Sequence, residues 1–195
     1  MKKGKVRNIQ KKVLSEDWSN LTKYSFKYQR EDGTWETQHR EVYDCGDGAA
    51  ILLYNRDRKT VLLTQQFRMP TFTNGNENGM MIEVCAGLLD GLPPAECIKK
   101  EVLEETGYKI DTVHQVMLTY MCPGSVTQKL YLFLGEYDET MKIAEGGGAE
   151  DETENIEILE YDFEEALQMI SVAAIKDSKS ITLLQYAALT GIFSD

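Results

Sequence analysis

The alternation of apolar and polar residues predicts a hairpin near the start of the chain. Residues 21–29 alternate apolar and polar positions from Tyr24 onward, and residues 34–44 also have the character of a strand. Between the two runs stands the turn signal Asp32-Gly33. Alternating runs joined by an Asp-Gly turn are typical of an antiparallel β-hairpin. A lone hairpin is marginally stable in water, so we expect it to pack on the rest of the chain or on a second copy.

From residue 48 onward the chain carries short, strongly apolar runs that predict buried strands. Two of them form a second hairpin around RDRK, and four more follow; in order the runs are AAILLYN, TVLLTQQF, GMMIEVCAG, TVHQVMLTYM, KLYLFLGEY and IEILEYDF. Helices are predicted between Pro93-Pro94 and Gly107, and over residues 164–173 and 180–190. Many strands with one internal and two late helices predict an α/β (α+β) fold in which helices cover a mixed sheet.

Composition and charge narrow the class of partner. The 195 residues are 42% hydrophobic, which suits one ordinary domain or one domain with a small appendage. A net charge of −11 argues against a nucleic-acid backbone or an anionic membrane as the partner. The basic start MKKGKVR leads into polar residues rather than an apolar signal core, and no apolar run is long enough to cross a bilayer. We therefore expect a cytoplasmic protein.

Cysteine and histidine usage favours a hard metal over zinc. The cysteines show no CxxC pairing, so we expect buried free thiols at Cys45, Cys85, Cys97 and Cys122. Two isolated histidines cannot form a zinc site alone. Any metal is therefore expected to be a hard ion held by oxygen.

Three glutamates crowd the helix that ends at Gly107. At 100° per residue they lie beside the apolar stripe of Ala95, Ile98 and Val102, not on the opposite face. One interpretation is a solvated acidic patch balanced by nearby lysines. The other is a Mg²⁺ site next to a glycine-containing loop, with oxygen ligands from Glu101, Glu104 and Glu105.

This segment resembles the signature of the Nudix hydrolases, G-x5-E-x7-R-E-U-x-E-E-x-G-U, where U is aliphatic. Its second half reads KEVLEETGY at 100–108, with Lys in place of Arg and Tyr in place of the last aliphatic residue. The first half departs, because Pro93 stands where the signature has Glu and the spacing to Glu101 is one residue short. The metal-binding half is intact, so the loop is expected to be fixed by prolines and packing.

Landmarks along most of the chain resemble the GDP-mannose pyrophosphatase branch of that family, which is close to the ADP-ribose pyrophosphatases. They are REVYD (40–44), GAAILLYN (48–55), QQFR (65–68), NGNENG (74–79), CAGLLD (85–90) and GGGAEDE (146–152). The position of Pro123 after the signature is associated with nucleoside-diphosphate-sugar members. The resemblance implies a Nudix α/β/α sandwich over residues 44–195 and a small antiparallel β domain for dimerisation over residues 1–43.

The resemblance also implies the site residues. Mg²⁺, or Mn²⁺ in its place, is expected on Glu101 and Glu105 with the Ala86 carbonyl, and Glu104 and Glu152 are further metal candidates. Glu101, Glu105 and Glu152 are the expected catalytic residues, although Glu152 could also belong to a disordered acidic loop. The expected substrate contacts are Trp18, His39, Arg40, Glu41, Arg68, Ala86, Gly87, Leu88, Glu105, Gln128, Asp151, Glu152 and Lys179.

The function implied is Mg²⁺-dependent hydrolysis of GDP-mannose to GMP and mannose 1-phosphate. His39 replaces a lysine of the branch and Gln128 replaces a glutamate, which leaves open an ADP-ribose or broader nucleotide-sugar pyrophosphatase. A third alternative is a nucleotide-sugar sensor that binds without cutting. A homodimer that exchanges its N-terminal domains is expected, with no nucleic-acid or membrane partner.

Overall fold

The computed structural model describes residues 5–148 and 155–193 and divides into two compact units. The division falls after Asp47, and the segment Tyr120–Leu130 joins the first unit. In the described part of the chain, no helix is long and apolar enough to span a membrane.

The first unit is built on a three-stranded antiparallel sheet. Its strands are β1 (Val6–Glu16), β2 (Asn20–Gln29) and β3 (Trp35–Asp44), paired in the order β1-β2-β3. The β2–β3 pairing confirms the predicted hairpin. Strand β1 was not predicted, because two irregularities in its register with β2 break the two-residue alternation of side chains that marks a strand.

The second unit contains a seven-stranded sheet. Its strands are β4 (Gly48–Asn55), β5 (Thr60–Phe67), β6 (Met80–Glu83), β7 (Cys85–Leu88), β8 (His114–Tyr120), β9 (Lys129–Glu136) and β10 (Glu157–Asp162). The order is β10-β5-β4-β9-β8, with β6 paired to β5 and β7 paired to β4. All of β4 is buried, which explains why it has an unbroken run of apolar residues at its centre.

The prediction of one strand over GMMIEVCAG was wrong. The chain changes partner at Val84, so that Glu83 pairs with Thr64 on β5 whereas Cys85 pairs with Ile51 on β4. Between the two strands, the Val84 amide donates to the Ser180 hydroxyl over 2.8 Å. This side-chain bond takes the place of a ladder bond and allows the switch.

In the described residues of the second unit there are four α-helices and a 3-10 helix at Glu139–Met141; the α-helices are α1 (Met69–Thr73), α2 (Pro94–Thr106), α3 (Phe163–Ser171) and α4 (Ser178–Thr190). Helix α2 begins and ends as predicted, with Gly107 in the left-handed conformation at φ 76°. The five-residue helix α1 was not predicted. The α/β fold with a helix-covered mixed sheet and a small antiparallel N-terminal sheet is confirmed.

Candidate active site

The carboxylate of Glu101 lies directly against the backbone of Gly87. A Cβ atom at Gly87 would overlap the carboxyl carbon and both oxygens of Glu101. Gly87 and Ala86 are held in β7 by pairing with Ala49 and Ala50 of β4. The missing side chain therefore makes room for a carboxylate of α2 at the edge of the strand.

Glu105, one turn further along α2, is almost wholly buried, with 1% of its surface exposed. The buried Cys85 thiol lies beside its carboxylate. Burial, followed by the charge of Glu105, raises the pKa of the Cys85 thiol well above its usual range. Burial and the charge of Glu101 likewise raise the pKa of Cys97 to about 11. Both thiols stay protonated at neutral pH, so neither is a nucleophile here.

This arrangement fits a hard divalent cation. Glu101 and Glu105 offer oxygen donors one helical turn apart, and the thiols beside them are in the neutral form that does not compete as a ligand. In the described residues, no three His, Cys, Asp or Glu side chains gather at metal-binding distance. Besides this pair, a bound ion would therefore need backbone oxygen, water or substrate phosphate as ligands. Mg²⁺ is usually bound in this way, by one or two carboxylates together with water and phosphate.

Glu104 forms an ion pair on the exposed side of the same helix. Its carboxylate accepts a hydrogen bond of 2.7 Å from Lys100, four residues earlier. Such pairs stabilise an exposed helix modestly. Lys100, which stands in place of the signature arginine, therefore pairs within the helix in this structure.

The loop that connects β7 to α2 is fixed by a turn and by a thiol. Asp90 and Gly91 both have positive φ, at 46° and 84°, and the Leu92 amide donates to the Leu89 carbonyl over 2.7 Å. The Cys97 thiol donates to the Leu88 carbonyl over 3.2 Å and so ties the loop to α2. The sequence predicted prolines and packing in this role, and it missed the cysteine.

The C-terminal end of α2 is capped by a glycine-rich segment. The amides of Gly147 and Gly148 donate to the carbonyls of Glu105 and Glu104 over 2.9 and 3.0 Å. These are among the last helical carbonyls, which find no partner inside the helix. A Cβ at Gly146 would come within 2.6 Å of the Thr106 carbonyl carbon and 2.7 Å of the Glu105 oxygen. Glycine at 146 is therefore what permits the close approach.

We predict that Gly146→Ala lowers the free energy of unfolding by about 3 kcal/mol, because it adds a backbone collision to the strain of a positive φ. Gly147→Ala is the matched control: it has φ 107° but meets nothing closer than 3.8 Å. Its cost should be about 1 kcal/mol. Urea denaturation of the two variants measures the difference, and equal losses would contradict the proposed collision.

A second charged cluster surrounds Glu83 at the end of β6. Its carboxylate, 5% exposed, accepts bonds from Arg68 Nε (3.0 Å), Arg68 Nη2 (2.9 Å) and Lys179 Nζ (2.7 Å). Burial alone would raise the pKa of Glu83, but the bonds from Arg68 and the charge of Lys179 outweigh it and lower the pKa. Glu83 is therefore ionised at neutral pH.

The same cluster extends into the first turn of α4. Lys179 also pairs with Asp177 at 3.0 Å, and Asp177 caps the helix by accepting from the Ser180 amide over 2.9 Å. Because Ser180 also accepts from Val84, the start of α4 is fastened to the junction of β6 and β7.

Comparison with known proteins assigns this chain to a family. The model of the NUDIX domain matches residues 46–182, and the model of the GDP-mannose pyrophosphatase NudK N-terminal domain matches residues 5–43. The chain belongs to the Nudix hydrolase family, in its GDP-mannose pyrophosphatase branch. The prediction of an enzyme of the Nudix pyrophosphatase class is thereby confirmed.

Similar curated proteins are alike over nearly their whole length. A GDP-mannose pyrophosphatase of Pectobacterium atrosepticum is 52% identical over 95% of this chain and 95% of its own. One from Yersinia enterocolitica is 50% identical over 96% of this chain and 97% of its own. One from Yersinia pestis is 50% identical over 95% of this chain and 92% of its own.

In this Nudix hydrolase, the predicted site residues fall into three groups. The second unit brings Arg68 and Lys179 together on Glu83, and it brings strand β7, with Ala86, Gly87 and Leu88, against the Glu101 carboxylate of α2. The first unit carries Trp18, His39, Arg40, Glu41 and Gln128. Asp151 and Glu152 lie outside the described residues.

Within the first unit, the predicted substrate contacts occupy the sheet and its turns. Trp18 lies in the bend between β1 and β2 with 89% of its surface exposed. His39 Nδ1 shares a 2.8 Å hydrogen bond with the Ser25 hydroxyl. Arg40 donates to the His39 carbonyl over 2.7 Å and to the Gln38 side chain over 3.1 Å.

Sequence reasoning missed Glu83 and Asp177. The signal for Glu83 was a lone acid within the apolar run MMIEVC, because a buried carboxylate requires charged partners. The expectation of four buried thiols was also partly wrong. Cys85 and Cys97 are buried, but Cys45 is half-buried and Cys122 is exposed.

Proposed function

We propose that this Nudix hydrolase splits the pyrophosphate bond of a nucleoside-diphosphate sugar with Mg²⁺, and that GDP-mannose yields GMP and mannose 1-phosphate. The observation that carries the proposal is the Glu101 carboxylate seated against Gly87, with Glu105 buried one turn away. The relatives named GDP-mannose pyrophosphatase support the choice of substrate.

A divalent ion would be held by Glu101 and Glu105 with the Ala86 carbonyl, and Glu104 and Glu152 are proposed as further ligands. When bound, such an ion neutralises phosphate charge and lowers the pKa of a coordinated water. A pyrophosphate is long-lived in water because its anionic oxygens repel a nucleophile, so charge neutralisation and alignment are the main tasks of the site. Mn²⁺ is the proposed alternative ion.

The chain's own residues orient the reactants. The buried Cys85 thiol lies beside Glu105 and so limits the orientations open to its carboxylate. The guanidinium of Arg68 and the ammonium of Lys179 are proposed to contact substrate phosphate or sugar oxygens. Exposed Trp18 is proposed to stack on the nucleobase, with His39, Arg40, Glu41, Gln128 and Asp151 among the remaining substrate contacts.

The test is hydrolysis of GDP-mannose, ADP-ribose and GDP-glucose side by side, with Mg²⁺ and with a chelator. We expect the highest kcat/KM for GDP-mannose and no turnover with the chelator. Preference for ADP-ribose would favour the alternative that the unusual His39 and Gln128 leave open. Tight binding of all three substrates without turnover in Mg²⁺ or Mn²⁺ would favour a sensor.

We further propose a homodimer in which the domain over residues 1–43 exchanges between copies and residues 44–195 form the catalytic domain. No residue between 5 and 47 is buried, although this sheet carries many apolar side chains. Those of β1 are 41–57% exposed, namely Val6, Ile9, Val13 and Leu14. Exposed apolar side chains in such number on one strand favour a partner that covers them. We place the enzyme in the cytoplasm, without nucleic-acid or membrane partners.

Deleting residues 1–43 is expected to produce monomers whose KM for GDP-mannose rises at least about tenfold, because the exchanged sheet would carry Trp18 and the 39–41 segment to the partner's site. Sedimentation equilibrium and steady-state kinetics measure the two effects. A fully active monomer after the deletion would reject the exchange.

A further inference from the structure

Glu83 joins two cations that come from distant parts of the chain. Arg68 follows β5, whereas Lys179 lies in the first turn of α4, and a single carboxylate accepts from both. Glu83 itself ends β6, and only Val84 separates it from β7, the strand that carries Ala86 and Gly87. The cluster is therefore built on the same stretch of backbone as the carboxylate site.

Side-chain exposure increases from Glu83 to Lys179 to Arg68. The side chain of Glu83 is 5% exposed, that of Lys179 12%, and that of Arg68 38%. The Glu83 side chain is therefore more deeply buried than either cation, and the Arg68 side chain is the more accessible of the two cations to a ligand from solution.

Stability alone explains this arrangement poorly. A buried ion pair contributes little net stability, because the cost of removing both charges from water offsets their attraction. Orientation is a better explanation. Two parallel bonds from Arg68 Nε and Nη2 fix the plane of the guanidinium, and a third bond fixes the ammonium of Lys179.

We infer that Glu83 is a positioning residue, which holds Arg68 and Lys179 in the geometry that receives the anionic part of the substrate. The inference rests on the proposed function, since it assumes that these two cations contact substrate. Glu83 touches neither substrate nor metal in this scheme, and it acts through its two partners. Preorganised cations bind an anion without a further entropic cost for ordering their long side chains.

Charge and orientation predict opposite results for Glu83→Gln. Among the described residues, the cluster pairs two cations, Arg68 and Lys179, with the anions Glu83 and Asp177, so removing the charge of Glu83 makes it more positive. If net charge governed binding, the variant would bind anions more tightly. If Glu83 positions the cations, the variant binds anions more weakly despite its added positive charge.

We expect Glu83→Gln to raise KM for GDP-mannose about tenfold, equivalent to about 1.4 kcal/mol, and to change kcat by less than about threefold. Calorimetric affinity for GMP should fall by a similar factor. The control is Glu160→Gln, which removes another multiply bonded carboxylate, one that accepts from Arg58, Thr60 and Tyr137. That control should leave KM and GMP affinity unchanged.

A double-mutant cycle with Arg68→Ala tests the route of the effect. If Glu83 acts through Arg68, the effect of Glu83→Gln on KM shrinks to less than about threefold in the Arg68→Ala background. Full additivity, or an unchanged or lower KM in Glu83→Gln, would overturn the inference. If Glu83→Gln does not fold, Glu83→Asp keeps the charge but shortens the reach, and a folded Asp variant with unchanged KM would also overturn it.

The outcome separates this inference from the proposed function. If the unaltered enzyme does not hydrolyse any nucleotide sugar, the proposed function fails, and GMP binding still measures the contribution of Glu83. If the unaltered enzyme is active and Glu83→Gln behaves like Glu160→Gln, the positioning role alone fails.

Discussion

Glu101→Gln should lower kcat for nucleotide-sugar hydrolysis by about three orders of magnitude, or about 4 kcal/mol of transition-state stabilisation. Glutamine keeps the shape of the side chain but loses the charge that a divalent ion requires. Glu101 is only partly buried, and its carboxylate lies against backbone at Gly87 rather than in the apolar core. The fold should therefore survive, with a midpoint of thermal unfolding close to that of the parent.

The matched control for this prediction is Glu96→Gln on the same helix. Glu96 is an exposed acid of the first turn that pairs with Lys99 at 3.7 Å. It should retain activity within about twofold, because an exposed pair of this kind contributes little. Activity of Glu101→Gln within tenfold of the parent at saturating Mg²⁺ would refute the metal role.

Gly87→Ala is the second prediction with a large expected effect, and it separates activity from stability. The added Cβ would occupy the space of the Glu101 carboxylate. Because the obstructing group is the end of a flexible side chain, it can rotate away at little cost to folding. The displaced carboxylate would then leave the site, so we expect kcat/KM to fall at least about a hundredfold, since small misplacements of this size carry such costs.

The expected signature is lost activity with an unfolding temperature that changes by only a few degrees. Gly124→Ala provides the control, because an added Cβ there meets nothing within 4 Å. Like Gly87, Gly124 does not have a positive φ. That control should be fully active. A Gly87→Ala enzyme with parental kcat/KM would show that the position of the Glu101 carboxylate does not matter.

Much of the fold was predictable because its local signals agree with its tertiary structure. Helix α2 has an apolar stripe, a proline in its first turn and glycine as its C-cap, and these features fix its limits without reference to the rest of the chain. The prediction that its glutamates border the core was sound for Glu101, while Glu105 lies deeper, at 1% exposure.

The features that were missed depend on partners that are distant in sequence. The run GMMIEVCAG has the local pattern of one strand, and it becomes two because it changes partner from β5 to β4 at Val84, whose amide bonds to Ser180 of α4. Likewise, no local rule could predict that Arg68 and Lys179 meet on Glu83, because 96 residues separate Glu83 from Lys179. Strand β1 was missed for another reason, since irregularities in its register remove the periodicity on which such a prediction depends.

We propose above all that a divalent ion binds between Glu101 and Glu105, beside Gly87. Anomalous diffraction from crystals soaked in Mn²⁺ tests it most directly. We expect a strong anomalous peak in contact with both carboxylates, and its disappearance in Glu101→Gln crystals treated in the same way. A well-occupied Mn²⁺ elsewhere in the enzyme, with no peak between these two side chains, would contradict the account.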